Sequence, residues 1–212
     1  FQYIIDNYDN LPDCIIFAKG WTFPRHIRKE RFDKIMNNNT YTPIEDWETY
    51  DPIFPLSFIS PDGGFCEINS SWYLKRWKNK YFTNYNDFLR FVYKNPVIPL
   101  YVRFSPGGDF IAPKETILRL PKVVYENLKL FMDHDREPAE THMIERAMFT
   151  LMMSNFELNP KMLEKLDESF SHRDVKREKL SRRIYFLFVS MLVNGIYRKL
   201  ATCIRACQRL GK

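Results

Sequence analysis

Apolar residues recur in this chain at two different periods, and the way the periods alternate predicts an α/β domain. Tyr3, Ile4, Tyr8 and Leu11 fall at helical spacing until Leu11-Pro12-Asp13 stops the run, which predicts a short helix over residues 1–10. Cys14-Ile15-Ile16-Phe17-Ala18 is continuously apolar and is closed by Lys19-Gly20. That is the pattern of a strand buried on both faces of a sheet covered by helices. A charged helix is expected over 28–36 and a loop at Asn37-Asn38-Asn39-Thr40. Residues 41–64, rich in proline, glycine and aromatics, predict a long ordered excursion with short strands around 53–59. Residues 85–93 read as a helix capped by Asn84 or Asn86.

The alternation over 97–104 predicts a strand, Ser105-Pro106-Gly107-Gly108-Asp109 a turn, and Phe110-Ile111-Ala112 a second short strand. Helices follow from Pro113-Lys114 to a break at Leu120-Pro121, over 122–132, and from Pro138 to about Asn155. From about Pro160 onward the pattern predicts a helical C-terminal tail, charged to Arg183 and apolar over 184–197. At about 1.5 Å per residue that apolar piece reaches only about 21 Å, short of a hydrocarbon core of about 30 Å. A helix packed on the domain, or an interfacial anchor flanked by Arg182-Arg183 and Arg198-Lys199, fits it better than a span. The organisation expected is an α/β domain over 1–158, a mixed sheet flanked by helices, followed by a basic helical segment over 159–212.

Composition narrows the class. Hydrophobic residues at 45% and charged residues at 27% are those of a globular chain, and 16% aromatics supply large rings for a core or a cleft. Cys14, Cys66, Cys203 and Cys207 form neither a CxxC pair nor a scaffold, and read as reduced thiols. Cys203 and Cys207 share a helical face, open to zinc, to palmitoylation or to plain burial. The net charge of +6 resides in the tail, where residues 161–212 hold 13 Lys or Arg against 5 acids. The opening residues lack the charged and apolar regions of a secretory signal. The reading is an intracellular, cytoplasmic protein with membrane-surface contact through its C-terminal segment. Nucleic acid is not an expected partner, because the basic residues are not interleaved with aromatics outside 72–80.

Three polar clusters carry candidate chemistry. Lys19, Gly20, Arg25 and His26 follow the first strand, where open α/β sheets bind ligands, and can meet a phosphate or a sugar hydroxyl; an ordinary surface loop is the alternative. Gly107 and Gly108 permit a close backbone approach beside the Asp109 carboxylate, or simply form a hairpin turn. Asp62-Gly63-Gly64 has the same form and reads first as a hairpin. His142, Glu145 and Arg146 share one helical face, as a base with a phosphate clamp or as a salt-bridged stripe. Asp133-His134-Asp135 has the letters of a metal-binding DxD but ends a helix instead of a strand, so no metal ligands are assigned. GxSxG, P-loop, GxGxxG and HExxH motifs are absent.

Read together, YIIDNYDNLPDCIIFAKG, GGDFIAPKETILRLPKVVYENL and HMIERAMF resemble an uncharacterised family of domains found in fungi, algae and large viruses. That family is in turn similar to capsular-polysaccharide-type glycosyltransferases of the GT-A fold. The chain departs from the family pattern at Ala18-Lys19, Pro113 and Ala147-Met148. A strand preceding residue 1 is also expected from the resemblance. The resemblance implies a GT-A-like fold and transfer of a sugar from a nucleotide sugar to a glycan or protein acceptor. By position it implies a site of Lys19, Gly20, His26, Gly107, Gly108, Asp109, Glu145 and Arg146; the enzyme reading gives Asp109 and Glu145 the catalytic roles and adds Arg25 and His142, from the clusters above, to the substrate-binding residues. It leaves room for a divalent manganese or magnesium ion. Trp21, Trp47, Trp72 and Trp77 are the aromatic candidates for a sugar cleft. The rival expectation is a non-catalytic carbohydrate- or partner-binding module with an interfacial basic tail.

Overall fold

A computed structural model describes residues 1–46, 57–60, 63–69 and 77–172. The chain opens with helix α1 (Gln2–Asn7), a 3-10 turn at Tyr8–Asn10, and strand β1 (Cys14–Phe17). Helix α2 (Lys29–Ile35) and the short strands β2 (Thr42–Pro43), β3 (Ser57–Ile59) and β4 (Phe65–Ile68) follow. Then come α3 (Tyr85–Val92), β5 (Tyr101–Phe104), β6 (Phe110–Pro113), α4 (Lys114–Ile117), α5 (Lys122–Met132) and α6 (Ala139–Met153).

The described chain is mixed α/β, but its strands do not form one mixed sheet. They form two antiparallel three-stranded sheets, β1-β6-β2 and β3-β4-β5. The double-glycine turn after β5 therefore is no hairpin: it carries the chain out of one sheet and into the other. Gly63 and Gly64 do close the β3–β4 pair, with Gly63 N–H donating to Ser60 O at 2.9 Å and Ser60 N–H to Gly64 O at 2.9 Å. Both glycines have positive φ, which a residue with a Cβ adopts only under strain. Asp62 lies outside the described residues.

The strand buried on both faces is β6. β1, expected in that role, pairs only with β6 and lies at the sheet edge, so Cys14 and Ile16 are exposed and Ile15 alone is buried. An apolar run reads the same whether one or two strands flank it. Val97 and Leu100, expected to begin β5, are exposed, and pairing starts at Tyr101.

The helices match local signals more closely. Asn84 caps α3, its side chain accepting from Asp87 N–H at 2.9 Å, while Asp87 Oδ2 accepts from Thr83 N–H at 2.9 Å. Pro121, with φ −55° and ψ 149°, ends the α4 turn and opens α5. Phe82, Phe88, Phe91 and Phe131 meet mostly edge to face beneath α3 and α5.

Residues 160–172 are not the predicted helix. After a 3-10 turn at Pro160–Met162 the chain runs irregularly, because the buried Asn127 on α5 claims its backbone. Asn127 Nδ2 donates to Met162 O at 3.2 Å and Glu164 O at 2.8 Å, and its Oδ1 accepts from Leu166 N–H at 3.0 Å. The remaining tail, with Cys203, Cys207 and the apolar stretch 184–197, lies outside the described residues. Among the described residues no helix is long and apolar enough to cross a membrane.

Candidate functional site

The loop after β1, the turn before β6 and the segment after β2 converge because β6 pairs with β1 on one side and β2 on the other. At their meeting point lies Asp109, 1% exposed. Its Oδ1 accepts from Lys19 N–H at 2.9 Å, and its backbone carbonyl accepts from Ile44 N–H at 2.9 Å. Oδ2 stands 3.9 Å from His26 Nε2 and has no hydrogen-bond partner among the described residues.

His26 is also buried, tied to its loop through its N–H, which donates to Thr22 O at 2.9 Å. Its Nδ1 lies 2.9 Å from Oε2 of Glu45, a side chain with no exposure. Ser105 Oγ donates to Ile44 O at 2.8 Å and sits 3.3 Å from the same Glu45 oxygen. Glu45 Oε1 has no hydrogen-bond partner among the described residues.

Burial pushes the Glu45 carboxyl up to about 9; the Ser105 contact opposes this, while the negative charges of Asp109 and Glu145 add to it. Burial likewise lowers the His26 imidazole, against the pull of Asp109, with Lys19 and Arg25 lowering it further. Asp109 is raised by burial and held back by His26 and by the Lys19 N–H and ammonium. At neutral pH these states are satisfied with Glu45 O–H donating to His26 Nδ1 and Ser105 O–H to Ile44 O. In that tautomer the Nε2–H of His26 is the side that faces Asp109.

Lys19 and Arg25 are exposed above this buried cluster. The Lys19 side chain lies across Gly107, occupying the space a Cβ there would need, and Gly107 has φ +102°. No ion-pair partner meets the Lys19 ammonium among the described residues. Gly107 N–H donates to Glu145 Oε1, which anchors the turn to α6. Glu145 Oε2 is 3.2 Å from Arg146 Nη1 and 4.0 Å from His142 Nδ1.

Arg146 is 5% exposed, pairs with Glu67 at 2.6 Å and lies 4.6 Å over the Phe104 ring, so it fastens α6 to the second sheet. The His142 ring lies 5.4 Å from that of Trp77. Lys19, His26, Gly107, Asp109 and Glu145 thus form one neighbourhood, with Gly108 and Arg25 at its rim. His142 and Arg146 border it through Glu145. A Cβ at Gly20 would meet nothing within 4 Å, so no close approach explains that glycine. Trp21 is 71% exposed; Trp47 and Trp72 lie outside the described residues.

Glu45 and Ser105 were not singled out by the sequence reading. The one local signal was an acid directly following the apolar Ile44, just past the short strand β2. Asp133-His134-Asp135 disperses: Asp133 pairs with Lys129, Asp135 lies 3.8 Å from Lys78, and His134 donates to or accepts from Glu140 at 2.9 Å. Among the described residues no group of three or more His, Cys, Asp or Glu side chains has metal-holding geometry. A protonated carboxyl and a neutral imidazole beneath a lysine ammonium are a poor donor set for the divalent ion of GT-A enzymes. Compared with family models, curated proteins and solved structures, the chain matches none.

Proposed function

We propose that this chain is glycosyltransferase-like, with a GT-A-like arrangement, transferring a sugar from a nucleotide-sugar donor to a hydroxyl of a glycan or protein acceptor. The observation that carries the reading is the buried Asp109 carboxylate, its Oδ2 without a hydrogen-bond partner, beneath a Lys19 ammonium that no ion-pair partner meets among the described residues. Transfer needs a base and a cation in this order. The acceptor O–H gives its proton to Asp109 while its oxygen bonds to the anomeric carbon. The bond from that carbon to the diphosphate breaks, and the departing charge is met by Lys19, with Arg25 beside it. His26 orients Asp109, and Glu145 holds the Gly107 turn on which Lys19 rests. No step is routed through a metal ion.

One observation favours the rival, a carbohydrate- or partner-binding module without catalysis. Asp109 and His26 are so fully covered that a purely structural polar cluster would look the same. The test is thermal shift of the chain against UDP-, GDP- and CMP-sugars, followed by assay of sugar transfer to glycan acceptors. A donor that binds wild type and Asp109→Asn alike, is turned over only by wild type, and loses affinity in Lys19→Gln supports transfer. Binding without turnover in any variant selects the module. No donor binding overturns both the base and the diphosphate assignments. Arg146→Ala would be a poor probe, since that guanidinium joins α6 to Glu67.

A further inference from the structure

The loop after β1 is pinned from below and apolar on top. Thr22, 4% exposed, donates its hydroxyl to Lys19 O at 2.7 Å, and His26 N–H donates to Thr22 O at 2.9 Å. With Thr22 and His26 turned inward, their neighbours face water: Trp21 is 71% exposed and Phe23 42%. An added Cβ at Gly20 would meet nothing within 4 Å, so the loop stands open on that side.

Helix α2 extends this surface. Phe32 and Ile35 pack from it onto Ile27, Ile44 and Ile111, and the Phe23 ring lies edge to face on Phe32 with centroids 5.2 Å apart. Lys29 and Met36 share the Phe32 side of the helix, three residues before it and four after it. Met36 is exposed, and Lys29 makes a surface pair with Asp33 at 2.8 Å, weak enough for a lipid phosphate to replace. Trp21, Phe23 and Met36 thus leave apolar surface in water, flanked by Arg25 and Lys29. Residues 19–36 hold six Lys or Arg against two acids, Glu30 and Asp33, a net charge of +4.

We propose that this face docks on an anionic bilayer, with the Trp21 and Phe23 rings at headgroup level and Arg25 and Lys29 on lipid phosphates and carboxylates. An indole suits that depth, its ring meeting the acyl boundary and its N–H the headgroups. Each cation held near the surface adds attraction to anionic lipid. A loop already fixed by buried hydrogen bonds loses little freedom on docking. At about 150–250 Å² for a whole aromatic side chain, the two rings expose under about 300 Å². A stable protein interface buries about 800 Å² on each partner, whereas an interfacial anchor has no such minimum. The contact is separate from the basic C-terminal segment and independent of any transfer chemistry.

The full chain is sedimented with phosphatidylcholine vesicles carrying about 30% phosphatidylserine, and with phosphatidylcholine alone, in about 0.1 M salt. Wild type should partition about tenfold or more in favour of the anionic vesicles. Trp21→Ala should weaken that partition about tenfold, Arg25→Gln about fivefold and Trp21→Phe only about threefold. Arg136→Gln, an exposed cation elsewhere, should stay within about twofold of wild type. Trp21 is largely in water, so its variants should keep the wild-type unfolding midpoint. The C-terminal segment is common to every variant, so a loss confined to the loop variants belongs to the loop. Brominated lipid should quench wild-type tryptophan emission, and quench Trp21→Phe, which keeps Trp47, Trp72 and Trp77, markedly less. Equal partition into neutral vesicles, unchanged partition in Trp21→Ala, the same loss in Arg136→Gln as in Arg25→Gln, or equal quenching in Trp21→Phe would each overturn the assignment. No partition at all would overturn it too, and leave an acidic protein as the occupant.

Discussion

Replacing Glu45 with glutamine should remove a loss of stability that wild type suffers as pH rises. In the folded chain the carboxyl holds its proton up to about 9; in the unfolded chain it releases it near 4.5. Between those values the folded state binds one proton more, so stability is fully present below 4.5 and is lost as pH rises toward 9. The slope is roughly 1 kcal/mol or somewhat more per pH unit, so that from pH 6 to pH 8 wild type should lose about 3 kcal/mol to this group alone. That is a large share of an ordinary stability of about 5–15 kcal/mol. Glutamine is neutral throughout and fills nearly the same space between His26 and Ser105. The gap between E45Q and wild type should therefore move in favour of the variant by about 3 kcal/mol over that interval. Urea denaturation at half-unit steps of pH, with m-values checked for constancy, measures it. Curves for the two proteins that stay parallel from pH 6 to pH 8 would refute the argument that Glu45 carries a proton in the fold.

Two further perturbations test the frame around the site. Glu140 has no exposure, and its Oε1 accepts from Lys80, Tyr81 and Phe82 N–H while Oε2 meets His134. Glu140→Ala would strand those backbone donors and should cost about 3–5 kcal/mol in urea denaturation, and a loss under about 1 kcal/mol would show that the chain re-satisfies them. Gly107→Ala places a Cβ at φ +102° in the space of the Lys19 side chain. It should cost about 1–3 kcal/mol and weaken whatever anion Lys19 binds, whereas unchanged stability would show that the turn relaxes freely.

What could be read in advance was whatever is decided within a few residues. The Asn84 cap, the break at Pro121 and the start of α6 after Pro138 are fixed by local hydrogen bonding and by proline's missing N–H, and the structure places them where the sequence does. Strand partners are not decided locally. Phe110 and Ile111 face Phe17 and Ile16 on one side and Pro43 and Thr42 on the other, and nothing in the run Cys14–Phe17 says that it has a neighbour on only one edge. The same long-range pairing brings Glu45 beside His26, so the acid most perturbed at the site was illegible until the sheet was known. Residues 160–172 were misread for a related reason: a helical pattern gave way to three hydrogen bonds from one asparagine on α5.

The pairing of Glu45 with Asp109 also decides which acid can act. Two carboxyls in one buried cluster cannot both ionise cheaply, so the proton and the charge must divide between them. Asp109 has an N–H donor in Lys19, an ammonium nearby and His26 Nε2 at 3.9 Å. Glu45 has Ser105 and His26 Nδ1, with its other oxygen unpartnered. The charge therefore settles on Asp109 and the proton on Glu45. His26 completes the account, because its lowered value means its contribution is present above 6.5 and lost as pH falls. Between about 4.5 and 6.5 an unfolded chain carries ionised Glu45 and protonated His26, while burial in the folded chain favours the neutral form of both. Folding therefore shifts a proton from His26 toward Glu45, and it leaves a neutral imidazole beside the Asp109 carboxylate, with Nε2 and Oδ2 3.9 Å apart.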